Sequence, residues 1–206
     1  MAERLHGRAA PPTESAIRSK EWDGRDPDAE THTKVLFVDV DMTEMINNGS
    51  VFEECTFRGV RFNCSVHENA AFVNCIFVRC SFFDAAFNAC KLVGSMFDGC
   101  TYGLLKAEGG DWSFVGLPGA DLTGSTFHNV RLREADLTGA RLTKAVVTDC
   151  DLSGALLHSA DLTGSDLRGS TLEGLDPQVT VVKNAIVDYT QAVVLAASLG
   201  LDVRPS

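Results

Sequence analysis

A period of five residues governs most of this chain. When residues 35–174 are cut at every multiple of five, a large apolar side chain falls at the third position of most units, and the register never slips. An α-helix has 3.6 residues per turn and a β-strand has a side-chain period of 2, so neither predicts this spacing. The pattern therefore indicates a backbone conformation other than an α-helix or a flat β-strand.

The five positions of a unit, here called slots one to five, differ in chemistry. Slot one holds Ala, Cys, Ser or Val almost throughout, slot three holds the large apolar residues, and the other slots are mostly polar. We expect slots one and three to point inward and the others to face solvent. The large apolar residues of slot three, here called anchors, include Phe37, Phe52, Phe57, Phe62, Phe72, Phe77, Phe82, Phe87, Leu92, Phe97, Leu122, Phe127, Leu132, Leu137, Leu142, Leu152, Leu157, Leu162, Leu167 and Leu172.

A five-residue unit cannot bury its own anchor, so the units must wind into a solenoid whose neighbouring turns cover one another. Four units per turn give a square cross-section, with equivalent residues 20 apart in sequence. We predict a flexible arm at residues 1–34, an all-β solenoid at 35–175 and a C-terminal cap at 176–206. A partner-binding arm is the alternative for residues 1–34. Residues 103–119 weaken the motif, which leaves open whether they form a projecting loop.

The charge is concentrated in the patterned part of the chain. The formal net charge is −10, from 28 acidic and 18 basic residues, and residues 35–206 carry 21 acids and 12 bases, a net of −9. Such a surface favours neither direct nucleic-acid binding nor membrane binding. No segment reaches the roughly 20 apolar residues of a membrane span, and the N-terminus lacks the apolar stretch of a signal peptide, so we expect a cytoplasmic protein.

The cysteines and histidines indicate packing rather than catalysis. Six of the seven cysteines occupy slot one, where cysteine acts as a small hydrophobe, and we expect them to be reduced. The anchor slot points His67 inward, whereas Cys64 points outward, so the two do not form a nucleophile–base pair. The sequence has no C-x-x-C, no metal-ligand spacing and no phosphate-binding loop, so we expect no enzyme activity, no metal and no cofactor.

The repeats resemble the pentapeptide-repeat family, whose motif is A(D/N)Lxx; ADLTG occurs at 120, 135 and 160. SVHENAAFVNC (65–75), CKLVGSMFDGC (90–100) and the C-terminal tail from Asp176 resemble the fluoroquinolone-resistance members of that family, of the MfpA type and more distantly of the Qnr type. The resemblance implies a right-handed quadrilateral β-helix with a short C-terminal α-helical cap. It also implies a homodimer formed through the C-terminal end, and an acidic rod that imitates DNA, binds DNA gyrase in competition with DNA, and inhibits the enzyme or protects it from quinolones.

The C-terminal segment predicts a cap. Pro177 falls in an anchor slot and is expected to end the regular winding. The stretch YTQAVVLAASLG then predicts a helix with Thr190 as its N-cap and Gly200 as its C-terminal stop. This helix is apolar all round, so we expect it to need a second cover besides the solenoid. The candidate dimer residues are Val193, Val194, Leu195, Ala197, Leu199 and Leu201, and a monomer cap is the alternative.

The acids nearest this end are the candidate gyrase-binding residues: Glu134, Asp136, Asp149, Asp151, Asp161, Asp166 and Glu173. Basic residues dilute every acidic row. Two solenoids at −9 each supply −18, against roughly 40 phosphate charges on the corresponding length of duplex DNA, so charge mimicry is expected to be partial. The alternative function is a structural or adaptor solenoid with an unrelated protein partner, in which the acids only maintain solubility.

Overall fold

A computed structural model describes residues 11–18 and 29–204 of the chain. These residues form a parallel β-solenoid that ends in one short helix. The strands in chain order are β1 (Ser15–Arg18), β2 (Thr31–Thr33), β3 (Val35–Val38), β4 (Ile46–Asn48), β5 (Val51–Glu53), β6 (Thr56–Arg58), β7 (Val66–Glu68), β8 (Ala71–Val73), β9 (Ile76–Val78), β10 (Ala86–Asn88), β11 (Met96–Asp98), β12 (Lys106–Glu108), β13 (Thr126–His128) and β14 (Val146–Thr148).

Every pairing joins residues 20 apart, which confirms four units per turn. The solenoid therefore has four faces. Face 1 carries the bridges of the columns Asp41–Arg61–Ser81–Thr101 and Asp121–Arg141–Asp161–Val181, and face 2 carries β4, β7, β10, β12, β13 and β14, continued by Asp166 and Ile186. Face 3 carries β2, β5 and β8, continued by Lys91, Asp111, Arg131, Asp151 and Thr171. Face 4 carries β1, β3, β6, β9 and β11, continued by Gly116, Asp136 and Leu156.

The chain turns each corner at slot five, where the backbone adopts a left-handed conformation. The φ angle is 52° at Glu54, 51° at Arg79, 60° at Leu104 and 69° at Gly124. Glycine adopts this conformation without steric cost, and Asn and Asp tolerate it better than other residues. The polar and glycine-rich composition of slot five therefore follows from backbone geometry as well as from exposure to solvent.

Slots one and three fill the interior, as the sequence predicts. In the N-terminal half the anchors stack as aromatic columns; on face 4 the ring centroids of Phe37, Phe57, Phe77 and Phe97 lie 4.7, 4.8 and 4.6 Å apart. In the C-terminal half Leu152, Leu157, Leu162 and Leu167 line one apolar interior together with the other leucine anchors. The core thus changes from stacked rings to packed leucines along the rod.

The transition between these halves keeps the register through residues 103–119, so no loop projects there. Phe87, Ala107 and Phe127 are register neighbours on face 2, and the Trp112 ring meets both flanking phenyl rings edge-on, with centroids 5.6 and 5.7 Å away. The small side chain of Ala107 leaves the space that Trp112 fills. Gly110 is required, because a methyl group there would lie 2.1 Å from the Cys90 carbonyl oxygen.

The predicted start of the solenoid at residue 35 is too late. Strand β1 pairs with β3, and β2 pairs with β5, each at an offset of 20 residues. The His32 ring stacks on Phe52 at 5.2 Å, in the position of an anchor. The described part of the predicted arm therefore continues the winding, while residues 1–10 and 19–28 lie outside the described residues.

Pro177 does not end the winding, contrary to the prediction. The Asp176 carboxylate accepts a hydrogen bond from the Gln178 N–H (2.8 Å) and its carbonyl accepts one from the Thr180 N–H (3.0 Å), which forms a compact turn. Because this turn also contains five residues, the five-residue register continues after it. Val181 then pairs with Asp161, and Ile186 pairs with Asp166.

The terminal helix, α1, spans Tyr189–Ser198. Its N-cap is Asp188 rather than Thr190, because Asp188 accepts from the Gln191 N–H (2.9 Å) while the Gln191 side chain accepts from the Asp188 N–H (2.8 Å). At the other end Gly200, with φ 83°, donates to Ala197 and Leu201 donates to Ala196, so Gly200 stops the helix as predicted. Among the described residues no helix is long and apolar enough to cross a membrane.

A candidate acidic interaction surface

Many of the surface aspartates occupy slot two, where they stabilise the corner that follows. The carboxylate of Asp151 accepts a hydrogen bond from the Ser153 N–H (3.0 Å), and that of Asp161 accepts one from the Thr163 N–H (2.9 Å). The same bond recurs at Asp41, Asp111, Asp121, Asp136, Asp166 and Asp176. Asn offers the same acceptor oxygen, which explains why a repeat of this kind accepts Asp or Asn here.

Ion pairs across successive rungs neutralise part of the acidic surface. Asp41 contacts Arg61 at 2.6 Å on face 1, and Asp111 contacts Arg131 at 3.0 Å on face 3. These Asp and Arg side chains meet because residues 20 apart in sequence lie on neighbouring rungs. The hydrogen bond from Arg61 lowers the pKa of Asp41 from its ordinary 3.8 to about 2.

The seven candidate acids do not form a single patch. Asp151 and Glu173 lie on face 3, and Glu134 and Asp149 lie at the corners that flank it. Asp161 lies on the opposite face 1, Asp166 lies on face 2 and pairs with Arg168 at 2.7 Å, and Asp136 is buried on face 4. Face 3 and its two corners therefore bring together four of the seven, here called the face-3 acidic surface: Glu134, Asp149, Asp151 and Glu173.

Two of these four carboxylates, Asp149 and Asp151, line a shallow groove that basic side chains also border. The groove runs over Gly110 and is lined by Lys91, Asp111, Arg131, Asp149 and Asp151. Arg133 approaches Asp151 at 3.8 Å, and hydrogen bonds from Ser153 lower the pKa of Asp151 despite its partial burial. Asp151 is therefore ionised at neutral pH, but part of its charge is balanced.

The C-terminal end presents apolar side chains to solvent. Gln191 is buried and fastens α1 to the last turn: its Nε2 donates to the carbonyls of Leu167 (2.6 Å) and Ser170 (2.7 Å). Of the six candidate dimer residues, Val194 and Leu195 are partly buried, and Leu195 packs against the chain's own core. The other four are exposed: Val193, Ala197, Leu199 and Leu201.

The remaining candidates for chemistry are engaged within the core. His67 is fully buried; its Nε2 donates to Ser65 Oγ (3.0 Å), and its Nδ1 accepts from Asn47 Nδ2 (3.1 Å). Because Ser65 Oγ donates to the Phe62 carbonyl, this assignment satisfies a neutral ring, and burial lowers the His67 pKa to about 3. Cys64 is exposed, so the predicted separation of these two residues is confirmed.

The pairing of charges was not predicted from the sequence. Basic residues were expected among the acids, but Arg131 and Arg61 also stand one rung from the aspartates that they contact. A search for opposite charges at an offset of 20 would have found these pairs. The structural hydrogen bonds of slot two were also missed, although the recurrence of Asp at that slot was visible.

Comparison with known proteins gives consistent matches. The profile of the pentapeptide repeats family matches eight copies, over residues 117–139 and 135–174. The pentapeptide repeat protein MfpA of Mycobacterium tuberculosis is 35% identical over 88 residues, which are 43% of this chain and 48% of MfpA. The match thus spans about half the length of that relative.

The structure of full-length QnrB1, a plasmid-mediated fluoroquinolone resistance protein, superposes with a TM-score of 0.56. This match covers 92% of this chain and 99% of QnrB1 at 21% sequence identity. At that identity the likeness establishes the shared fold.

Proposed function

We propose, from the premise that the chain is a pentapeptide-repeat protein, that it binds DNA gyrase in place of DNA and thereby inhibits the enzyme or protects it from quinolone poisons. Three segments of the sequence resemble the fluoroquinolone-resistance members of the family, and QnrB1 has the same fold. The proposal places the interaction in the cytoplasm and gives the protein no catalytic role.

The observation that carries the proposal is the face-3 acidic surface on a solenoid whose rungs stay in register. Glu134, Asp149 and Glu173 project from consecutive rungs beside Asp151, and rungs of parallel strands are about 4.8 Å apart. Carboxylates spaced this closely can take the place of DNA phosphates in a basic cleft of the partner enzyme. Because duplex DNA carries one charge per roughly 1.7 Å, shape must supplement charge in this mimicry.

We propose further that two copies associate through the C-terminal end. Tyr189 is 91% exposed, Leu199 53% and Leu201 61%, and they lie close together in sequence on and after α1. A two-fold interface there would cover these side chains and join the two rods end to end. The face-3 acidic surface of each copy would then lie beside the interface between the two copies.

The hydrogen bonds of slot two permit a test that separates charge from folding. Replacing Asp151 with asparagine and Glu173 with glutamine keeps the acceptor for the Ser153 N–H group but removes two charges from the face-3 acidic surface. We expect the D151N/E173Q variant to remain folded and to lose at least tenfold in its inhibition of gyrase supercoiling, measured with and without a fluoroquinolone.

The matched control is Glu53→Gln, which removes an exposed charge from the same face near the other end of the rod. This variant should inhibit as the parent does. Equal inhibition by all three proteins would refute charge mimicry at the C-terminal half. If the parent protein neither slows nor protects gyrase at micromolar concentration, gyrase is not the target.

A structural or adaptor solenoid is the second candidate, and one observation favours it. The slot-two aspartates and the rung-to-rung ion pairs give the chain structural reasons to be acidic, whatever it binds. In that case the D151N/E173Q variant would bind its partner as the parent does.

A further inference from the structure

One arginine on face 3 stands between two carboxylates. Arg131 lies in the middle of the column Asp111–Arg131–Asp151, and each aspartate is its register partner on a neighbouring rung. Rungs are about 4.8 Å apart, so the long arginine side chain can reach either carboxylate. Among the described residues, the ion pair of Arg131 goes to Asp111, with Nη1 3.0 Å from Oδ2, and none goes to Asp151. Arg131 therefore does not neutralise Asp151 by direct contact.

The surroundings of the two carboxylates explain this choice. Asp111 Oδ1 accepts hydrogen bonds from the Ser113 N–H (3.0 Å) and from Ser113 Oγ (2.6 Å), while its Oδ2 accepts from Arg131. Asp151 Oδ2, in contrast, already has Arg133 Nε at 3.8 Å. A second guanidinium at that oxygen would be repelled by the first. Arg131 is therefore held at Asp111.

We propose that Asp111 is a positioning residue of the face-3 acidic surface, which holds Arg131 away from Asp151 and so keeps that carboxylate available to a cation of the partner enzyme. This inference rests on the proposed function, in which Asp151 contacts gyrase. Asp111 acts in it through Arg131 rather than by touching the enzyme.

Arg131 has room to move if Asp111 loses its charge. The Arg131 side chain is 55% exposed, and Asp111, Arg131 and Asp151 all line the shallow groove over Gly110. Ion pairs between exposed side chains have small net free energies, so little opposes the exchange of one carboxylate partner for another. Without the charge of Asp111, Arg131 turns to Asp151 and neutralises it.

The first test follows Asp151 itself and needs no gyrase. Asp111→Asn keeps the acceptor for Ser113 and removes the charge that holds Arg131. Burial raises the pKa of Asp151, but hydrogen bonds from Ser153 and the charges of Arg133 and Arg131 lower it overall. Direct contact with Arg131 lowers this pKa further.

We therefore expect the Asp151 pKa, measured by NMR titration of its carboxyl carbon, to fall in Asp111→Asn. The same substitution in an Arg131→Gln background should lower it less, because only the loss of the distant Asp111 charge then acts on Asp151. Equal falls in the two backgrounds would overturn the proposal.

The second test measures inhibition of gyrase supercoiling. Asp111→Asn should weaken inhibition about threefold, which is the share of one charge in the tenfold loss expected for D151N/E173Q if the two charges contribute equally. In the Arg131→Gln background Asp111→Asn should have no effect, because no guanidinium remains to move. A threefold loss in both backgrounds would show that Asp111 acts through its own charge, which overturns the proposal.

Asp121→Asn is the matched control. Face 1 carries the same order of charges in the column Asp121–Arg141–Asp161, and Arg141 approaches Asp121 at 3.8 Å. This variant loses the same charge on the opposite face, so it should inhibit as the parent does. If the parent inhibits gyrase and Asp111→Asn inhibits equally well, the proposal fails while the proposed function stands. If the parent does not inhibit, the proposed function fails, and the NMR comparison alone decides whether Asp111 positions Arg131.

Discussion

At the scale of single residues, the corner position shows how backbone geometry selects side chains. Slot five is left-handed at non-glycine residues such as Leu104, where φ is 60° and the side chain is 52% exposed. A branched apolar side chain gains little there from burial and carries the steric cost of the conformation. Such corners are strained points that the packed interior holds in place.

We expect Leu104→Gly to stabilise the protein by up to about 1 kcal/mol, because glycine relieves the left-handed strain at a small entropic cost. Gly139→Ala, at φ 66° and with open space around it, should destabilise by about 1 kcal/mol. Thermal unfolding of both variants measures whether each substitution raises or lowers the stability. A drop in melting temperature for Leu104→Gly would contradict this account of the corner.

The ion pair between Asp41 and Arg61 gives a pH dependence with a definite sign. The pKa of Asp41 is depressed in the folded state from 3.8 to about 2, chiefly by the Arg61 hydrogen bond. The stability that this shift contributes is therefore complete above about pH 4 and is lost as the pH falls toward 2. Melting temperatures measured at a series of pH values should fall less steeply with decreasing pH in Asp41→Asn and in Arg61→Met than in the parent. An unchanged slope in both variants would show that the pair contributes nothing.

At the scale of one turn, complementary sizes hold the two halves of the core together. Trp112 fills the space that Ala107 leaves between Phe87 and Phe127. We expect Trp112→Ala to destabilise by about 3–5 kcal/mol through the cavity it creates. Ala107→Phe should cost about 1–3 kcal/mol by overpacking.

The double variant Ala107→Phe/Trp112→Leu places an aromatic ring at position 107 on face 2 and removes the Trp112 ring, which otherwise fills the same space. Its destabilisation should be smaller than the sum of its two single variants, measured by chemical denaturation. Additive effects would show that these two positions do not share one space.

The sequence predicted the elements of the winding well, because the five-residue period and the burial of slots one and three have the same cause. The unit around Pro177 was predicted wrongly, since proline excludes a ladder hydrogen bond but not a five-residue turn that preserves phase. Asp188 was missed as the N-cap, although Gln191 three residues later completes a capping box. The candidate acids were chosen by distance from the chain end, and their distribution over four faces required the three-dimensional register.

At the scale of the whole molecule, the solenoid is a rod with different ends and faces. The C-terminal end carries exposed apolar residues, which predicts an equilibrium between copies of the chain. Leu199→Asp/Leu201→Asp should yield monomers in analytical ultracentrifugation while circular dichroism remains that of the parent. Arg204→Asp, at an exposed position nearby, is the control and should leave the proposed association unchanged. A parent protein that is monomeric at all concentrations would contradict the proposed interface between two copies.

We propose that this solenoid occupies the site on gyrase that duplex DNA occupies. The fluorescence anisotropy of a labelled duplex bound to gyrase, titrated with the protein at several salt concentrations, tests this competition. We expect the protein to displace the duplex, a higher concentration of the labelled duplex to raise the concentration of protein required, and displacement to weaken as salt screens the carboxylates. A complex that contains gyrase, duplex and protein together, with the duplex anisotropy unchanged, would contradict the claim.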